Sequence, residues 1–385
     1  MKITHLWQDY SPNLFDKAHP LCMSHSLESE VVCQAFIDNG AMRLPGTFSV
    51  RNRNPVESNS QALLRRMIRR LRRPIDAMRF ARLVRSRTQT FKPDVIHLHF
   101  GTTAAVLENL NALPNVPMVV SFYGVDVSES LRDAGTLHAY RAIFRKASVL
   151  HVLCEEAQRR LVGVGCPLEK IQIANLPANL DNIPDIGVEP MNGTRFLIPA
   201  RFVEKKGHVV LLRAFQRLLQ DDPAVRLTCF GYGPTEWLER AVVQLGLTQT
   251  VQIVNNQQTS NFTAEYVNVL RRHDVVLAPS IRSSTGDDEG GPALTLVMAQ
   301  AAGKPVIVSN FPGAERSVAD GVHGFVVPEG DTVALYRAMA KMMGNLALMR
   351  QLGSAGRQRV LREFSDAAYW SSLHGWYCTA ARAGS

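Results

Sequence analysis

Short apolar runs rich in β-branched residues alternate along the chain with longer segments whose apolar positions recur at helical spacing. The runs predict strands and the intervening segments predict helices. After a first strand at the N-terminus, the predicted strands are Val95–Leu98, Met118–Phe122, Ser148–Leu153, Ile171–Ala174, Arg195–Pro199, Arg226–Phe230, Val251–Val254, Val275–Ala278, Val306–Val308 and Phe325–Val327. The predicted helices include Gly207–Leu219, Thr235–Leu245 and Thr263–Arg272. Such alternation is typical of an α/β protein with parallel sheets covered by helices.

The chain length predicts two domains, because 385 residues exceed what one ordinary core accommodates. The polar, proline-containing stretch 181–193 shows no clear periodicity and is the best linker candidate. We therefore predict two Rossmann-like, doubly wound domains, residues 1–181 and 182–365, that face a cleft. Ligands of such sheets bind at the carboxyl ends of the strands.

The composition is that of a globular protein, with 46% hydrophobic and 20% charged residues. No window of 18 apolar residues predicts a membrane span, and the N-terminus lacks a signal-peptide core, so we expect a cytoplasmic location. The six cysteines are scattered without a CxxC motif. Buried, reduced thiols are therefore favoured over disulfides or metal ligands.

The net charge of +9 is concentrated in one segment, Arg65–Arg87, which holds ten arginines and a single acid, Asp76. Apolar residues interleave at roughly helical spacing, so the segment predicts a basic amphipathic helix, broken near Pro74. Attachment to an anionic membrane surface and a plain solvated helix face both fit this pattern. Nucleic acid is disfavoured as a partner, because no nucleic-acid-binding module accompanies the charge.

A loop–helix–strand unit follows Asp288 and carries the first candidate chemistry. Glu289 precedes Gly290 and Gly291, whose missing side chains allow backbone N–H groups to approach a ligand. Pro292 suits the first position of a helix that would run to Gly303. The helix N-terminus favours an anion, and the carboxylate beside it favours hydroxyl groups. A nucleotide sugar has both an anionic diphosphate and sugar hydroxyl groups.

A second constellation follows the predicted strand that ends at Pro199. Arg201 and Lys206 flank a strand–helix junction that closes with Gly207, and two such cations suit a diphosphate. A solvated charged turn is the alternative for this spacing alone. The glycine turn Gly231-Tyr232-Gly233, at the end of the next strand, adds support.

With these motifs, the chain resembles the retaining glycosyltransferases of the GT-B fold, in particular family 4. Four blocks carry the resemblance: residues 200–207, residues 231–234, Asp274–Ser280 and Glu289–Gly303. The resemblance implies that Arg201 and Lys206 hold the donor diphosphate, that Glu289 binds hydroxyls of the donor sugar, and that the amides near Gly290 and Gly291 contact sugar or phosphate. It also implies that residues 366–385 form a helix that crosses back to the N-terminal domain.

The chain departs from the family pattern at Met298, where most members carry a second glutamate that binds the donor ribose. The spacing from Glu289 is also one residue longer than the commonest form. A thioether accepts hydrogen bonds poorly, so Met298 at the donor site needs a substitute such as Gln300 or Glu315. The alternative is that Met298 fills the core.

A second departure lies in the segment Tyr123-Gly124-Val-Asp126, where many members have a histidine in place of Tyr123. Tyrosine keeps a hydrogen-bonding hydroxyl but is a poorer acid–base group near neutral pH. Asp126 either lines the cleft with Gly124 or caps a loop. His97 and His99 alternate on a predicted strand and share one face, where they line the cleft or are buried. A metal is disfavoured, because no third ligand is apparent.

These motifs predict transfer of a sugar from a nucleotide donor with retention of configuration, without a cofactor or metal. Arg201 and Lys206 would stabilise the leaving diphosphate, the kind of electrostatic effect that usually dominates such catalysis, with Glu289 and Tyr123 as further catalytic candidates. The expected acceptor is a glycan or lipid-linked glycan in surface polysaccharide synthesis, with or without attachment to the inner face of the plasma membrane. Two alternatives stay open: a non-catalytic nucleotide-sugar-binding protein, and a GT-B isomerase of UDP-sugars.

Overall fold

A computed structural model of the chain describes residues 1–10, 18–37, 46–53, 62–178, 180, 183–189, 193–256 and 262–383. The strands are β1 (Lys2–Tyr10), β2 (Glu28–Ile37), β3 (Thr47–Arg53), β4 (Val95–His99), β5 (Met118–Ser121), β6 (Val149–Val152), β7 (Ile171–Ile173), β8 (Arg195–Pro199), β9 (Arg226–Gly231), β10 (Val251–Asn255), β11 (Val275–Ala278), β12 (Val306–Ser309) and β13 (Phe325–Val327). The α-helices are α1 (Ala18–Ser24), α2 (Ala62–Phe91), α3 (Gly101–Asn109), α4 (Ala134–Lys146), α5 (Glu155–Gly163), α6 (His208–Asp221), α7 (Glu236–Gln244), α8 (Phe262–Arg271), α9 (Leu294–Ala301), α10 (Ala314–Ser317), α11 (Thr332–Met342), α12 (Leu346–Glu363) and α13 (Asp366–Ala383).

The strands form two separate parallel sheets. The first has seven strands in the order β3-β2-β1-β4-β5-β6-β7, and the second has six in the order β10-β9-β8-β11-β12-β13. Neighbouring strands are parallel in both sheets. Two Rossmann-like sheets with helical connections confirm the predicted fold class.

The second sheet separates two hydrophobic clusters, which explains why its strands read as continuous apolar runs. Phe196 and Ile198 of β8 pack in one cluster, whereas Leu197 between them packs in the other. The same alternation occurs in β11 and β12. Because successive strand residues point to opposite faces, a strand buried on both faces needs an apolar side chain at nearly every position.

The chain divides into two compact units. Unit 1 comprises Met1–Leu153, Ala157–Leu176 and Tyr369–Ser385, and unit 2 comprises Cys154–Glu156 and Pro177–Ala368. Most of α13 therefore belongs to unit 1, although the chain reaches it only after completing unit 2. The parts of the proposed linker that the structure describes, residues 183–189 and 193, have no regular secondary structure.

Two features of unit 1 differ from the sequence-based expectation. The strands β2 and β3 were not predicted, because β2 begins with the polar run Glu28-Ser29-Glu30 and lacks a continuous apolar stretch. Its place in the sheet comes from parallel pairing with β1. The other predicted strands are present, with ends that agree to within one residue.

The predicted break near Pro74 is wrong, because α2 continues from Ala62 to Phe91 with this proline inside it. A proline removes one backbone hydrogen bond and need not end a helix whose other contacts hold it. Buried Phe80 and Val84 anchor the segment after the proline. Within the described residues, no helix is both long and apolar enough to cross a membrane. None of the six cysteines forms a disulfide; five of them are buried, and Cys378 is partly exposed.

Candidate functional site

In unit 2, the loop after β8 packs directly on the loop after β11. A 3-10 turn, Glu204–Lys206, follows β8 and ends at Gly207, whose φ of 70° is left-handed. A Cβ atom at Gly207 would lie 1.8 Å from the carbonyl oxygen of Pro279, so only glycine fits. This close approach brings Lys206 beside the segment that carries Glu289.

Lys206 and Glu289 form a largely buried ion pair. Lys206 Nζ lies 2.5 Å from Glu289 Oε1, and the two side chains are 17% and 11% exposed. The Ser280 hydroxyl donates a second hydrogen bond to Oε1 over 2.9 Å. Ser309 in turn donates a hydrogen bond to the carbonyl oxygen of Ser280. The structure thus joins the two predicted site residues and adds Ser280, which ends one of the four resemblance blocks but was not predicted as a site residue.

The ion pair fixes the charge of Glu289. Burial alone would raise the pKa of this carboxyl group, but the positive charges of Lys206 and Lys205 outweigh it. Hydrogen bonds from Lys206 and Ser280 act in the same direction, and the net effect is a lowered pKa. Glu289 is therefore a carboxylate at neutral pH, suited to accept hydrogen bonds from hydroxyl groups.

Lys205, which the sequence did not single out, holds the loop that carries Glu289. Its Nζ lies 3.0 Å from Asp287 Oδ2 and donates to the carbonyl oxygen of Asp288 over 2.9 Å. Arg282 forms an ion pair with the Asp288 carboxylate at 3.1 Å. In a Lys-Lys pair the sequence does not reveal which side chain turns inward, because that depends on the backbone of the 3-10 turn.

The glycine pair after Glu289 is buried, but the helix begins later than predicted. The N-cap of α9 is Ala293, so Pro292 precedes the helix instead of occupying its first position. A Cβ atom at Gly313 would lie 2.4 Å from the Cα atom of Gly291, so these two backbones touch. The contribution of Gly290 and Gly291 amides to ligand binding stays a prediction.

Met298 lies on α9 and packs in the hydrophobic core of unit 2, with 7% of its surface exposed. Its donor-binding role therefore depends on the family resemblance alone. Gln300 is an unsuitable substitute for a ribose-binding glutamate, because its side chain is fully buried and donates to the Ser317 carbonyl oxygen. Glu315 is exposed, and it accepts a hydrogen bond from the Gly313 amide over 3.1 Å.

Arg201 stands in the same loop region and faces solvent. Among the described residues its exposed side chain forms no hydrogen bond or ion pair, in contrast to Lys206. The glycine turn after β9 packs beside it, because a Cβ atom at Gly231 would lie 1.9 Å from the carbonyl oxygen of Ala200. The Phe202 amide donates to the carbonyl oxygen of Tyr232, whose side chain is 47% exposed; Gly233 completes this turn with a φ of 128°.

In unit 1, His97 and His99 share one face of β4, as predicted, with ring centroids 3.9 Å apart. Both are buried. His97 Nδ1 lies 2.8 Å from the Tyr377 hydroxyl, and Nε2 lies 2.8 Å from the Ser121 hydroxyl. His99 Nδ1 lies 2.8 Å from the hydroxyl of Tyr123, which joins that predicted site residue to the cluster.

The carbonyl oxygen of Ala174 determines which atoms donate in the hydrogen bonds that link His151, Ser121, His97 and Tyr377. It accepts from His151 Nε2 at 3.0 Å, so His151 Nδ1 accepts a hydrogen bond from Ser121 at 2.9 Å. The Ser121 oxygen then accepts from His97 Nε2, and His97 Nδ1 accepts from Tyr377. Burial lowers the pKa of His151 to about 4, which keeps this ring neutral.

A further histidine, His5 on β1, joins the cluster, and the sequence analysis did not single it out. The register pairs His5 with His97, and His5 Nδ1 lies 3.1 Å from His99 Nε2. One nitrogen from each of these three rings falls within 4.8 Å of the others, so a third imidazole does exist where none was expected. However, both nitrogens of His97 and of His99 already have hydrogen-bond partners. The cluster is built as a hydrogen-bonded network of neutral rings.

Asp126 has the loop-capping arrangement that the sequence left open. Its carboxylate accepts hydrogen bonds from the backbone amides of Gly101, Tyr123 and Gly124 at 2.8–3.0 Å. The side chain is fully buried. Burial raises the pKa of Asp126 while these amides oppose the shift. Asp126 therefore holds the backbone on either side of Tyr123.

Comparison with known proteins now adds to this geometry. A model described as glycosyl transferases group 1 matches residues 181–359, and a glycosyl transferase 4-like domain model matches residues 26–175. With the two Rossmann-like sheets, these matches support a glycosyltransferase of the GT-B fold.

The similar proteins include bacterial polysaccharide glycosyltransferases. The amylovoran biosynthesis glycosyltransferase AmsK of Erwinia amylovora is 28% identical over 291 residues, which cover 74% of this chain and 70% of that protein. The putative colanic acid biosynthesis glycosyltransferase WcaL of Salmonella typhimurium is 29% identical, with coverage of 73% and 69%.

Among solved structures, sucrose-phosphate synthase from Thermosynechococcus elongatus has a TM-score of 0.77 at 18% identity, and covers 100% of both chains. HepE from Anabaena in complex with UDP has a TM-score of 0.70 at 16% identity, again with 100% coverage of both. At these identities the likeness concerns the fold.

Proposed function

We propose that this protein transfers a sugar from a nucleotide-sugar donor to a glycan or lipid-linked glycan acceptor in surface polysaccharide synthesis. The buried pair of Lys206 and Glu289 carries the proposal, because it places a phosphate-binding cation and a hydroxyl-binding carboxylate within one hydrogen bond of each other. AmsK and WcaL, named for amylovoran and colanic acid biosynthesis, support the assignment to polysaccharide synthesis.

In this proposal, contacts with the bound donor replace the hydrogen bond between Lys206 and Glu289. Lys206 and the solvent-facing Arg201 bind the diphosphate, and Glu289 accepts hydrogen bonds from the sugar hydroxyls. The turn Gly231–Gly233 lies beside Arg201 and borders the nucleotide. The cations stabilise the negative charge that develops on the leaving diphosphate.

We further propose that the sugar keeps its anomeric configuration and that no metal takes part. Arg201 and Lys206 supply the positive charge that a divalent cation supplies to a diphosphate in other enzymes. Turnover that survives exhaustive chelation would support this part, and turnover restored only by added Mg²⁺ or Mn²⁺ would contradict it. The anomeric configuration of the isolated product, read by NMR, tests retention.

The donor assignment is tested by thermal unfolding with UDP-, GDP- and ADP-sugars, for the wild type and for Arg201→Ala. A ligand at 100 times its dissociation constant adds about 2.7 kcal/mol of stability. We expect a shift with one nucleotide class that Arg201→Ala largely abolishes, whereas Arg240→Ala, an exposed arginine on α7, retains it. No shift with any donor would overturn the proposal. Release of an epimerised nucleotide sugar without acceptor would instead identify the isomerase.

We also propose that α2 binds an anionic membrane surface. On the described part of this helix, Ile75 and Met78 are 46% and 47% exposed, and the exposed Arg79 and Arg82 adjoin them. Arg87 is not part of this proposed membrane-binding surface, because it forms an ion pair with Glu30 at 2.6 Å. An exposed apolar strip with adjacent arginines suits insertion at the headgroup level.

Sedimentation with vesicles tests this surface. The protein should co-sediment with anionic vesicles at low salt and dissociate at high salt, because screening weakens contacts between exposed charges. Arg79→Glu with Arg82→Glu should abolish co-sedimentation, whereas the same change at Arg240 should not. Equal binding to neutral vesicles, or none at low salt, would contradict the proposal.

A further inference from the structure

The cluster in unit 1 contains a second row of hydrogen bonds, which runs outward from the buried core to the partly exposed Tyr123. His5 Nδ1 lies 3.1 Å from His99 Nε2, and His99 Nδ1 lies 2.8 Å from the Tyr123 hydroxyl. His5 and His99 are buried, whereas Tyr123 is partly exposed. The row therefore has one inner end, at His5, and one outer end, at Tyr123.

The inner end stops at an atom without a partner. His5 Nε2 is buried and has no hydrogen-bond partner among the residues that the structure describes. The other charged or titratable groups around the ring are three further imidazoles and a phenol, with ring centroids of His19, His97 and Tyr377 at 5.7, 5.6 and 6.4 Å and that of His99 at 5.4 Å. Among the described residues, no carboxylate acts on the pKa of His5 to favour a protonated ring.

Burial first, and the neighbouring imidazoles second, lower the pKa of His5 and of His99 well below its usual value. Each ring is therefore neutral and carries a single proton, on one of its two nitrogens. The direction of both hydrogen bonds, from His5 to His99 and from His99 to Tyr123 or the reverse, then depends on which nitrogen of His5 holds that proton.

Two arrangements satisfy the distances, and they differ at both ends. In one, His5 Nε2 carries a buried N–H without an acceptor, His99 donates to His5, and Tyr123 donates to His99. In the other arrangement, His5 Nε2 is unprotonated and carries a lone pair, His5 donates to His99, and His99 donates to Tyr123. A buried N–H without a partner is rarer and costlier in proteins than an acceptor without one.

We propose that His5 is a positioning residue that, through His99, makes the Tyr123 hydroxyl a hydrogen-bond acceptor within the protein and a donor toward bound ligand. The proton of Tyr123 is then directed away from His99, toward an oxygen of a sugar or phosphate. The function of this donor depends on the proposed glycosyltransferase activity, but the direction of the hydrogen bonds does not.

The stacking of Trp7 on His99 fixes the orientation of the imidazole ring. Their ring centroids are 4.0 Å apart and the ring planes differ by 8°. Asp126 also holds the Tyr123 amide at 3.0 Å, so the backbone next to the hydroxyl is fixed as well. Because His97 stacks on His99 as well, with ring centroids 3.9 Å apart, the ring keeps its nitrogens in line with His5 and Tyr123. A reversal of the hydrogen bonds would therefore require the ring protons of His5 and His99 to change nitrogens.

The direction is read by NMR of the full-length protein labelled with ¹⁵N-histidine, in which the shifts of ring nitrogens distinguish protonated from unprotonated atoms. We expect a protonated Nδ1 and an unprotonated Nε2 in both His5 and His99, assigned from spectra of His5→Asn and His99→Asn. A protonated Nε2 in His5 overturns the inference. Melting shifts with nucleotide sugars test the proposed function separately, so either result stands without the other.

A matched pair of variants tests the causal step. Asparagine at position 5 places an amide near the present Nδ1 position and can still donate to His99, whereas an ionised aspartate there can only accept. His5→Asn should keep Nδ1 of His99 protonated, and His5→Asp should place a proton on Nε2 of His99. An unprotonated Nε2 in a folded His5→Asp variant would contradict the role of His5. If that variant does not fold, the wild-type spectrum decides.

Discussion

Lys206 Nζ and Glu289 Oε1 lie 2.5 Å apart although 83 residues separate them in the chain. Each residue follows a strand of the same parallel sheet, Lys206 in the loop after β8 and Glu289 in the loop after β11. Their encounter follows from the strand order, in which β8 and β11 are neighbours. Parallel neighbours bring their carboxyl-end loops to the same edge of the sheet.

Removal of the Lys206 amine should weaken use of the donor. Lys206→Ala is expected to lower kcat/KM for the donor at least ~10-fold, equivalent to about 1.4 kcal/mol of lost transition-state stabilisation. Steady-state kinetics with varied donor measure this. Lys341→Ala is the control, because it removes the same charge from α11, where Lys341 lies over the Phe325 ring. Unchanged kinetics in Lys206→Ala would remove Lys206 from the donor site.

Gly207→Ala should destabilise unit 2 more than Gly246→Ala. Both glycines have a φ of 70°, so an alanine at either site costs about 1–2 kcal/mol of backbone strain. Only at Gly207 would the new Cβ atom also meet a backbone atom, the Pro279 oxygen at 1.8 Å; nothing lies within 4 Å at Gly246. Urea unfolding measures the difference. Equal losses in the free energy of unfolding would mean that the loop after β11 can move away from the new Cβ atom at little energetic cost.

Mild acid should destabilise unit 1 through His151. Its pKa is about 4 in the folded protein, against 6.5 when unfolded, so between these values only the unfolded chain binds the proton. Below pH 6.5, His151 alone therefore lowers the free energy of unfolding by about 1.4 kcal/mol per pH unit as the pH drops toward 4. The buried His5, His97 and His99, whose pKa values are also lowered, add to this slope. Urea unfolding at pH 7 and pH 5, followed by tryptophan fluorescence, measures this slope.

His151→Gln should flatten that pH dependence by about one proton, since the amide does not titrate and still offers a donor to Ala174. The exposed His138 supplies the control, and His138→Gln should leave the slope unchanged. A slope that is unchanged in His151→Gln would contradict the contribution of His151 to the acid sensitivity.

Loss of the Tyr377 hydroxyl should weaken the attachment of α13 to the first sheet. In Tyr377→Phe the buried His97 Nδ1 loses its donor at 2.8 Å, at an expected cost of about 1–3 kcal/mol. Tyr336→Phe is the control, because that hydroxyl donates at 2.7 Å to Asp221 at an exposed site. Thermal unfolding of both variants decides; equal effects would mean that a water molecule replaces the Tyr377 hydroxyl.

Sequence alone determined the fold class and most of the strands of this protein. Strands buried on both faces must be apolar at nearly every position, so β8, β11 and β12 can be predicted from the sequence. The sequence also singled out Lys206 and Glu289, each next to a glycine, and Arg201, two residues after β8; their roles in donor binding stay predictions. Local pattern was sufficient in these cases.

Tertiary structure decided what depends on partners distant in the chain. Burial of Phe80 and Val84 carries α2 past Pro74, and pairing with β1 makes a strand of the half-polar β2. The register of β1 on β4 places His5 within a hydrogen bond of His99, the ring that also contacts the Tyr123 hydroxyl. Hydrogen bonds and burial act between residues that no local pattern connects, and a proton's position on a buried ring follows from its neighbours alone.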